Sequence, residues 1–515
     1  MKRNLSIRLS VLAVLMVLVS SCTKKAEYTN AIPADASVVA IHMKSLADKA
    51  GIGDKDNQEA IQKLTDALKS GMNAATYRQL EAVLKDPSKS GIDIAAPIYL
   101  FSAPSISGEG IVMKVNDEDD LRSFIGMMEK EQISSAIEEG EGYSYTRINQ
   151  EGLLVFDAST LLITSYDSDS EQEAIRKTVA ALLKQTPENS LSSNPAFRKM
   201  QQQDGDIDFL VSPSSAYGAF FKQMNYTMPQ DTAWTDFSFI GNLSFEKGKI
   251  ALDAEIYTDN PELKAMLEKQ VDSTRPIGNA FLKYFPQSTL ALFSMGIDGE
   301  KFYNALQQNE WFRQSLSATS ASDLKEVFST FNDDITAGLI NVSMDKMPTF
   351  LIYANVKNGN ALKTLYGRKA EIDRSLRSEL VKLGEDEYTL KSRQTNIFFG
   401  VRDQVMYVTN DELLYKSICQ PLDPSAKDTE YASTLKGKRS AFVVNADAIL
   451  ELPAVKMLAE YGGPEFQMYY ALIGKMSYLE VTSDGGKSNV TLQLKDRDTN
   501  ALKQILAFAR QYSGM

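Results

Sequence analysis

Gly152-Leu153-Leu154-Val155-Phe156-Asp157-Ala158-Ser159-Thr160-Leu161-Leu162-Ile163-Thr164 is two apolar runs around a polar turn. The pattern is that of a β-hairpin. It recurs without a gap as Asn396-Ile397-Phe398-Phe399-Gly400-Val401-Arg402-Asp403-Gln404-Val405-Met406-Tyr407-Val408. A hairpin that returns in the second half of a chain points to an architecture written twice.

The surrounding sequence extends the correspondence. Ile32-Pro33 and Phe285-Pro286 each lead into an apolar strand, Val38-Val39-Ala40-Ile41 and Leu290-Ala291-Leu292. Gly110 to Val115 matches Thr349 to Ala354, and Ile207 to Val211 matches Ser440 to Val444. The closing hairpins, Leu243 to Ala254 and Leu479 to Leu494, turn at Lys247-Gly248-Lys249 and Ser483-Asp484-Gly485-Gly486-Lys487. Asx residues then open amphipathic helices at Asn116-Asp117, Asp259-Asn260, Asn358-Gly359-Asn360 and Asp498-Thr499-Asn500. Their side chains suit the orphan N–H groups of a first helical turn. Helical spacing covers Gln58–Met72, Tyr77–Leu84, Glu171–Leu183 and Ala361–Leu383. The fold class is therefore α+β: two similar tandem halves of antiparallel sheet flanked by helices. The halves are 31–275 and 280–515, with the junction at Pro276–Asn279. Separate domains and one continuous sheet both fit this pattern.

The N-terminus reads as an address. Lys2, Arg3 and Arg8 precede the apolar run Leu9–Val19, too short to span a bilayer and suited to a signal-peptide core. Val19-Ser20-Ser21-Cys22 resembles a bacterial lipobox, which implies cleavage after residue 21 and lipid on Cys22. Residues 1–21 would then be a lipoprotein signal peptide and 22–30 a lipidated tether. Two or more acyl chains hold a protein stably to a membrane. Thr23 lacks the acid that resembles an inner-membrane retention signal. An outer-membrane lipoprotein facing the periplasm is favoured over display on the cell surface.

Composition excludes several chemistries. The 515 residues carry 55 Lys+Arg against 67 Asp+Glu, a formal charge of -12. Loss of residues 1–21 leaves 52 basic residues and a charge of -15. Such a chain is a poor partner for nucleic acid. One histidine, His42, rules out sites that need two imidazoles. Cys419 is the one cysteine left after lipidation of Cys22, and reads as a core thiol. No phosphate-binding glycine loop and no nucleophile elbow occurs. The acidic runs Asn116–Asp120 and Asp204–Asp208 could gather oxygens around a cation, but a helix start and a turn before a strand explain them better. No catalytic residue, metal site or cofactor is therefore assigned.

Aromatics are the remaining candidates. Tyr226, Trp234 and Phe237 surround a Pro229-Gln230-Asp231 turn. Tyr461, Phe466, Tyr469 and Tyr470 flank Gly462-Gly463-Pro464. The two clusters precede the last hairpin of their halves. They could stack on a sugar or peptide, or belong to the core.

With its lipobox, its opening Ala31-Ile32-Pro33-Ala34-Asp35-Ala36-Ser37-Val38-Val39 and its two-half pattern, the chain resembles the Bacteroidetes lipoproteins of domain-of-unknown-function family 4836. The resemblance covers nearly the whole mature chain. It implies an envelope location and transfers no catalytic residue. The reading favoured is a membrane-anchored, non-enzymatic binding or scaffolding protein, with an envelope protein, peptide or glycan as partner. A carboxylate- or metal-dependent hydrolase of envelope or dietary polymers and a structural spacer stay open as alternatives.

Overall fold

The computed structural model describes residues 27–54, 62, 66, 69, 74–106, 108–148, 152–165, 169–212, 237–307, 318–343 and 346–512. The signal segment and Cys22 lie outside them, as does most of the helix expected over Gln58–Met72. The described chain is α+β, with antiparallel sheet and helices interspersed. It divides into two compact units, Met1–Pro229 and Gln230–Met515.

The first unit contributes β1 (Ser37–Ile41), β2 (Ile98–Ala103), β3 (Gly108–Lys114), β4 (Glu138–Gly140), β5 (Tyr143–Ile148), β6 (Gly152–Phe156), β7 (Thr160–Ser165) and β8 (Ile207–Val211). They neighbour one another in the order β8-β1-β2-β3-β7-β6-β5-β4, every pair antiparallel. The helix Glu118–Lys130 packs Leu121 and Ile125 against Leu154, Phe156 and Leu161. Each such side chain, fully buried, contributes about 1.5–3 kcal/mol.

The second unit contributes β9 (Ser238–Glu246), β10 (Lys249–Tyr257), β11 (Thr274–Arg275), β12 (Ala291–Asp298), β13 (Phe331–Asn341), β14 (Thr349–Val356), β15 (Glu379–Gly384), β16 (Glu387–Lys391), β17 (Asn396–Arg402), β18 (Val405–Thr409), β19 (Ser440–Asn445), β20 (Met476–Ser483) and β21 (Lys487–Leu494). The main run is β9-β10-β21-β20-β19-β12-β13-β14-β18-β17-β16-β15, again antiparallel, with β11 against the end of β12. The stretch β19-β12-β13-β14-β18-β17-β16-β15 repeats the strand order of the first unit element by element. Its core holds Phe281 stacked on Tyr353, with ring centroids 5.6 Å apart, together with Phe285, Leu292 and Tyr407.

Three features differ from the sequence expectations. The β9–β10 hairpin, expected to close the first half, belongs to the second unit because β10 is hydrogen-bonded to β21. Pro276–Asn279, expected as the junction, lies inside that unit: Ile277 is buried and its N–H donates to Lys438 O at 2.7 Å. The helix expected over Ala361–Leu383 runs as two short helices, Asn360–Gly367 and Lys369–Leu376. The chain turns at Arg377 (φ 50°) and continues as β15, which buries Leu380.

The helix-start reading of the acidic run fits the geometry. Asp117 Oδ1 accepts from Asp120 N at 2.9 Å, and Glu118, Asp119 and Asp120 fill the first turn. Negative charge there complements the helix dipole. Asn260 and Asn500 cap their helices in the same way. Asn358 bonds Asn360 N one step earlier, and Gly359 takes the cap position.

Candidate functional site

Of the aromatic candidates, Tyr226 and Trp234 lie outside the described residues. Phe237 is 7% exposed and packs edge-on against Phe239, with centroids 5.2 Å apart. The other four stand on a helical hairpin of the second unit, Pro453–Tyr461 followed by Gly463–Ile473.

Gly462-Gly463-Pro464 makes that hairpin. A Cβ on Gly462 would lie 2.4 Å from Leu458 O, so glycine permits the close turn. Gly463 has φ 80°, a left-handed conformation that costs a side-chain-bearing residue about 1–2 kcal/mol. Pro464 then suits the first turn of the second helix, where its missing N–H leaves no bond unmade.

The hairpin exposes what a core normally hides. Tyr461 is 76% exposed, Tyr469 55% and Phe466 47%, while Tyr470 is half-buried. Met457 and Leu458 are also exposed, and Leu472 is borderline. Leu458 and Tyr461, like Phe466 and Tyr469, are three residues apart and share a helix face. The second helix has one charged side chain, Glu465. Contiguous apolar exposure of this kind marks an interaction site more often than it marks chance. The first unit offers a different concavity of about 1080 Å³, lined by Val39, Leu100, Glu109, Ile111, Ile163 and Val211 among others.

Several of the polar groups singled out by the sequence are engaged with partners. In the first unit His42 Nε2 lies 2.8 Å from Asp208 Oδ2. Asp206, fully buried, accepts from Ser45 Oγ at 2.5 Å and from Lys49 Nζ at 2.7 Å. The run Asp204–Asp208 is thus tied to the helix Met43–Ala50 by the Lys49–Asp206 ion pair and the Ser45 hydrogen bond, and to its cap residue His42 through Asp208. The signal for this was present in the sequence: His42, Ser45 and Lys49 recur at helical spacing. Among the described residues no group of three His, Cys, Asp or Glu is placed to hold a metal ion.

Cys419 sits in the second unit with φ 62°, its N–H donating to Tyr353 Oη at 3.1 Å. Burial pushes its thiol upward, away from the reactive thiolate. Nearby, Glu387 ion-pairs Arg402, whose guanidinium lies over the rings of Tyr407 and Tyr415. The Arg402 contact holds the Glu387 carboxyl below its usual range. These contacts brace β16, β17 and β18.

A family model described as "Domain of unknown function (DUF4836)" matches residues 28–502. No curated protein matches the chain. Among solved structures, the chain is similar to TP0453 in its crystal form IV, at 11% identity and a TM-score of 0.24, over 44% of this chain and 79% of that one. For crystal form I of TP0453 the identity is 9% and the TM-score 0.25, over 48% and 87%.

Proposed function

The chain belongs to the family of the domain of unknown function DUF4836, and from that premise we propose that it is a membrane-anchored envelope lipoprotein that binds or scaffolds and does not catalyse. The observation that carries the binding role is the exposure of Tyr461, Phe466 and Tyr469 on the helical hairpin. Aromatic side chains supply large contact area at low entropic cost, which is why they anchor interfaces. The anchor rests on the sequence alone, on Val19-Ser20-Ser21-Cys22. Lipid on Cys22 would hold the body at the outer membrane, facing the periplasm. An envelope protein, a peptide or a glycan is the partner that this location supplies.

We read the body as an internal duplication, with copies at 31–275 and 280–515. Matching strand orders support this, and so do matching bonds. Thr164 Oγ1 donates to Glu109 O at 2.9 Å, and Thr409 Oγ1 donates to Phe350 O at 2.7 Å. Pro33 bridges Ser190 as Pro286 bridges Ser425. The last strands of the two copies, β10 and β21, pair with each other, with Ala251 opposite Thr491. The copies and the compact units then differ because the last hairpin of the first copy joins the sheet of the second.

Two experiments test the proposal. Palmitate labelling of cells should disappear in Cys22→Ala, and labelling that survives overturns the anchor. A photo-crosslinking amino acid at position 469 should give reproducible adducts in the envelope. Adducts that persist unchanged in a Tyr461→Ser/Phe466→Ser variant overturn the hairpin as the binding surface.

A further inference from the structure

The second unit holds a cavity of about 400 Å³ that shares no residue with the helical hairpin. Its size is at the low end for small-molecule sites, about 300–1,000 Å³. Its floor is a single row across the sheet. Met295, Ser440, Ser483, Ser488 and Ala254 stand opposite one another in turn on β12, β19, β20, β21 and β10. Residues directly opposite in a sheet share a face. Two residues along each strand, the same face carries Phe293, Phe442, Val481, Val490 and Leu252. On β19, β20, β21 and β10 the floor therefore drops from large apolar side chains to serine and alanine, with Met295 at the end of the row, and the drop is the cavity. Leu267 and Val271 of the helix Pro261–Asp272, with Phe302 of the helix Gly299–Leu306, complete apolar walls.

One cation enters this lining. Arg439 Nη1 donates to Val271 O at 2.8 Å, to Thr274 O at 2.7 Å and to Thr274 Oγ1 at 3.1 Å. Among the described residues no carboxylate pairs with it. Two carbonyls and a hydroxyl fix the guanidinium without neutralising it, and a guanidinium has five N–H donors. The hydroxyls of Ser440 and Ser488 likewise have no protein partner among the described residues. Gly485, at φ 79°, brings the β20–β21 turn close: a Cβ there would be 2.6 Å from Val271 Cγ2 and 3.1 Å from Arg439 Cδ. Glu255 also lines the cavity, but it follows Ala254 on β10, so its side chain leaves by the opposite face.

We infer that this cavity binds a single-chain anionic amphiphile of the fatty-acid class, carboxylate on Arg439 and tail along Leu267, Val271, Met295 and Phe302. The serine hydroxyls add donors beside the carboxylate. A neutral ligand of the same length would leave the guanidinium without an anion, and a cationic one would meet it as a like charge. The inference stands on the second unit alone and does not depend on the lipid anchor or on the helical hairpin.

Calorimetric titration of the full mature chain with decanoate, decanol and decyltrimethylammonium tests it. Decanoate should bind, at least about tenfold more tightly than decanol, since a charge-assisted bond is worth roughly that factor or more. Decyltrimethylammonium should bind no better than decanol. Ser440→Leu, which fills the floor, should abolish decanoate binding while the melting temperature stays near that of the parent. Failure of decanoate to bind, equal binding of decanol, or decanoate binding that Ser440→Leu leaves intact would each overturn the inference. The comparison of the three ligands on the unaltered chain keeps the test decisive even if Ser440→Leu does not fold.

Discussion

His42 Nε2 lies 2.8 Å from Oδ2 of Asp208, whose side chain is 3% exposed. That hydrogen bond raises the imidazole above its ordinary value of about 6.5, with the charges of Asp208, Asp206 and Asp204 acting in the same direction against partial burial. The folded chain therefore keeps His42 protonated where the unfolded chain has released the proton. The pairing adds stability below the ordinary imidazole value and loses it as pH rises through the folded one. Urea unfolding followed from about pH 5.5 to 8.5 should show a midpoint that falls with pH in the parent. The same curve should be flatter in His42→Gln. Identical slopes in the two proteins would refute the coupling.

Asp334 of β13 is 1% exposed and accepts from the N–H of Gly278 at 2.8 Å and of Ala280 at 3.0 Å. It thus fixes the segment that leads from β11 into the core residues Phe281 and Phe285. Asp334→Ala removes both acceptors and should cost about 1–3 kcal/mol in chemical denaturation. Asp334→Asn keeps one acceptor oxygen and should lose less. Equal losses in the two variants would mean that packing around the site, not the pair of bonds, sets the cost.

The hairpin pattern shared by β6–β7 and β17–β18 was legible because apolar runs around polar turns survive in sequence. Its register was less so. Sequence similarity sets Leu153 against Ile397, whereas equivalent bonds at Thr164 and Thr409 set Leu153 against Phe398. Apolar residues match apolar ones in either register, and a shift of one residue exchanges the two faces of a strand. The helix expected through Leu383 failed for a related reason. Leu376, Leu380 and Leu383 have helical spacing, but Leu380 is buried through pairing between β15 and β16 that local sequence does not record. Capping was legible, since Asp117, Asn260 and Asn500 act within three residues of themselves. The floor of the Arg439 cavity was not, because Met295, Ser440, Ser483, Ser488 and Ala254 are assembled from five strands.

The helical hairpin lets the proposed binding role be tested apart from folding. Tyr461 and Tyr469 face solvent, so Tyr461→Ser and Tyr469→Ser should each change stability by no more than about 0.5 kcal/mol. Gly463→Ala must place a Cβ on a residue at φ 80° and should cost about 1–2 kcal/mol. Thermal melts of the three variants check this order. A large loss in either tyrosine variant would show that the side chain is held by contacts within the folded chain, and would remove it from the binding surface.

Two glycines make opposite predictions from the same physics. A Cβ on Gly299, at the start of the helix Gly299–Leu306, would lie 1.8 Å from Phe328 O and 2.7 Å from Phe331 O. Backbone carbonyls cannot swing aside as a flexible side chain can, so the helix Gly299–Leu306 or the segment Phe328–Phe331 must move. Gly299→Ala should cost at least about 3 kcal/mol, at the upper end of overpacking losses. Gly126 sits inside the helix Glu118–Lys130 with nothing within 4 Å of its missing Cβ. Alanine there meets no atom and restricts the unfolded chain, so Gly126→Ala should stabilise by about 0.5–1 kcal/mol. Urea denaturation midpoints should therefore move in opposite directions. A neutral Gly299→Ala would mean that the contact between the helix Gly299–Leu306 and the segment Phe328–Phe331 is looser than 1.8 Å allows.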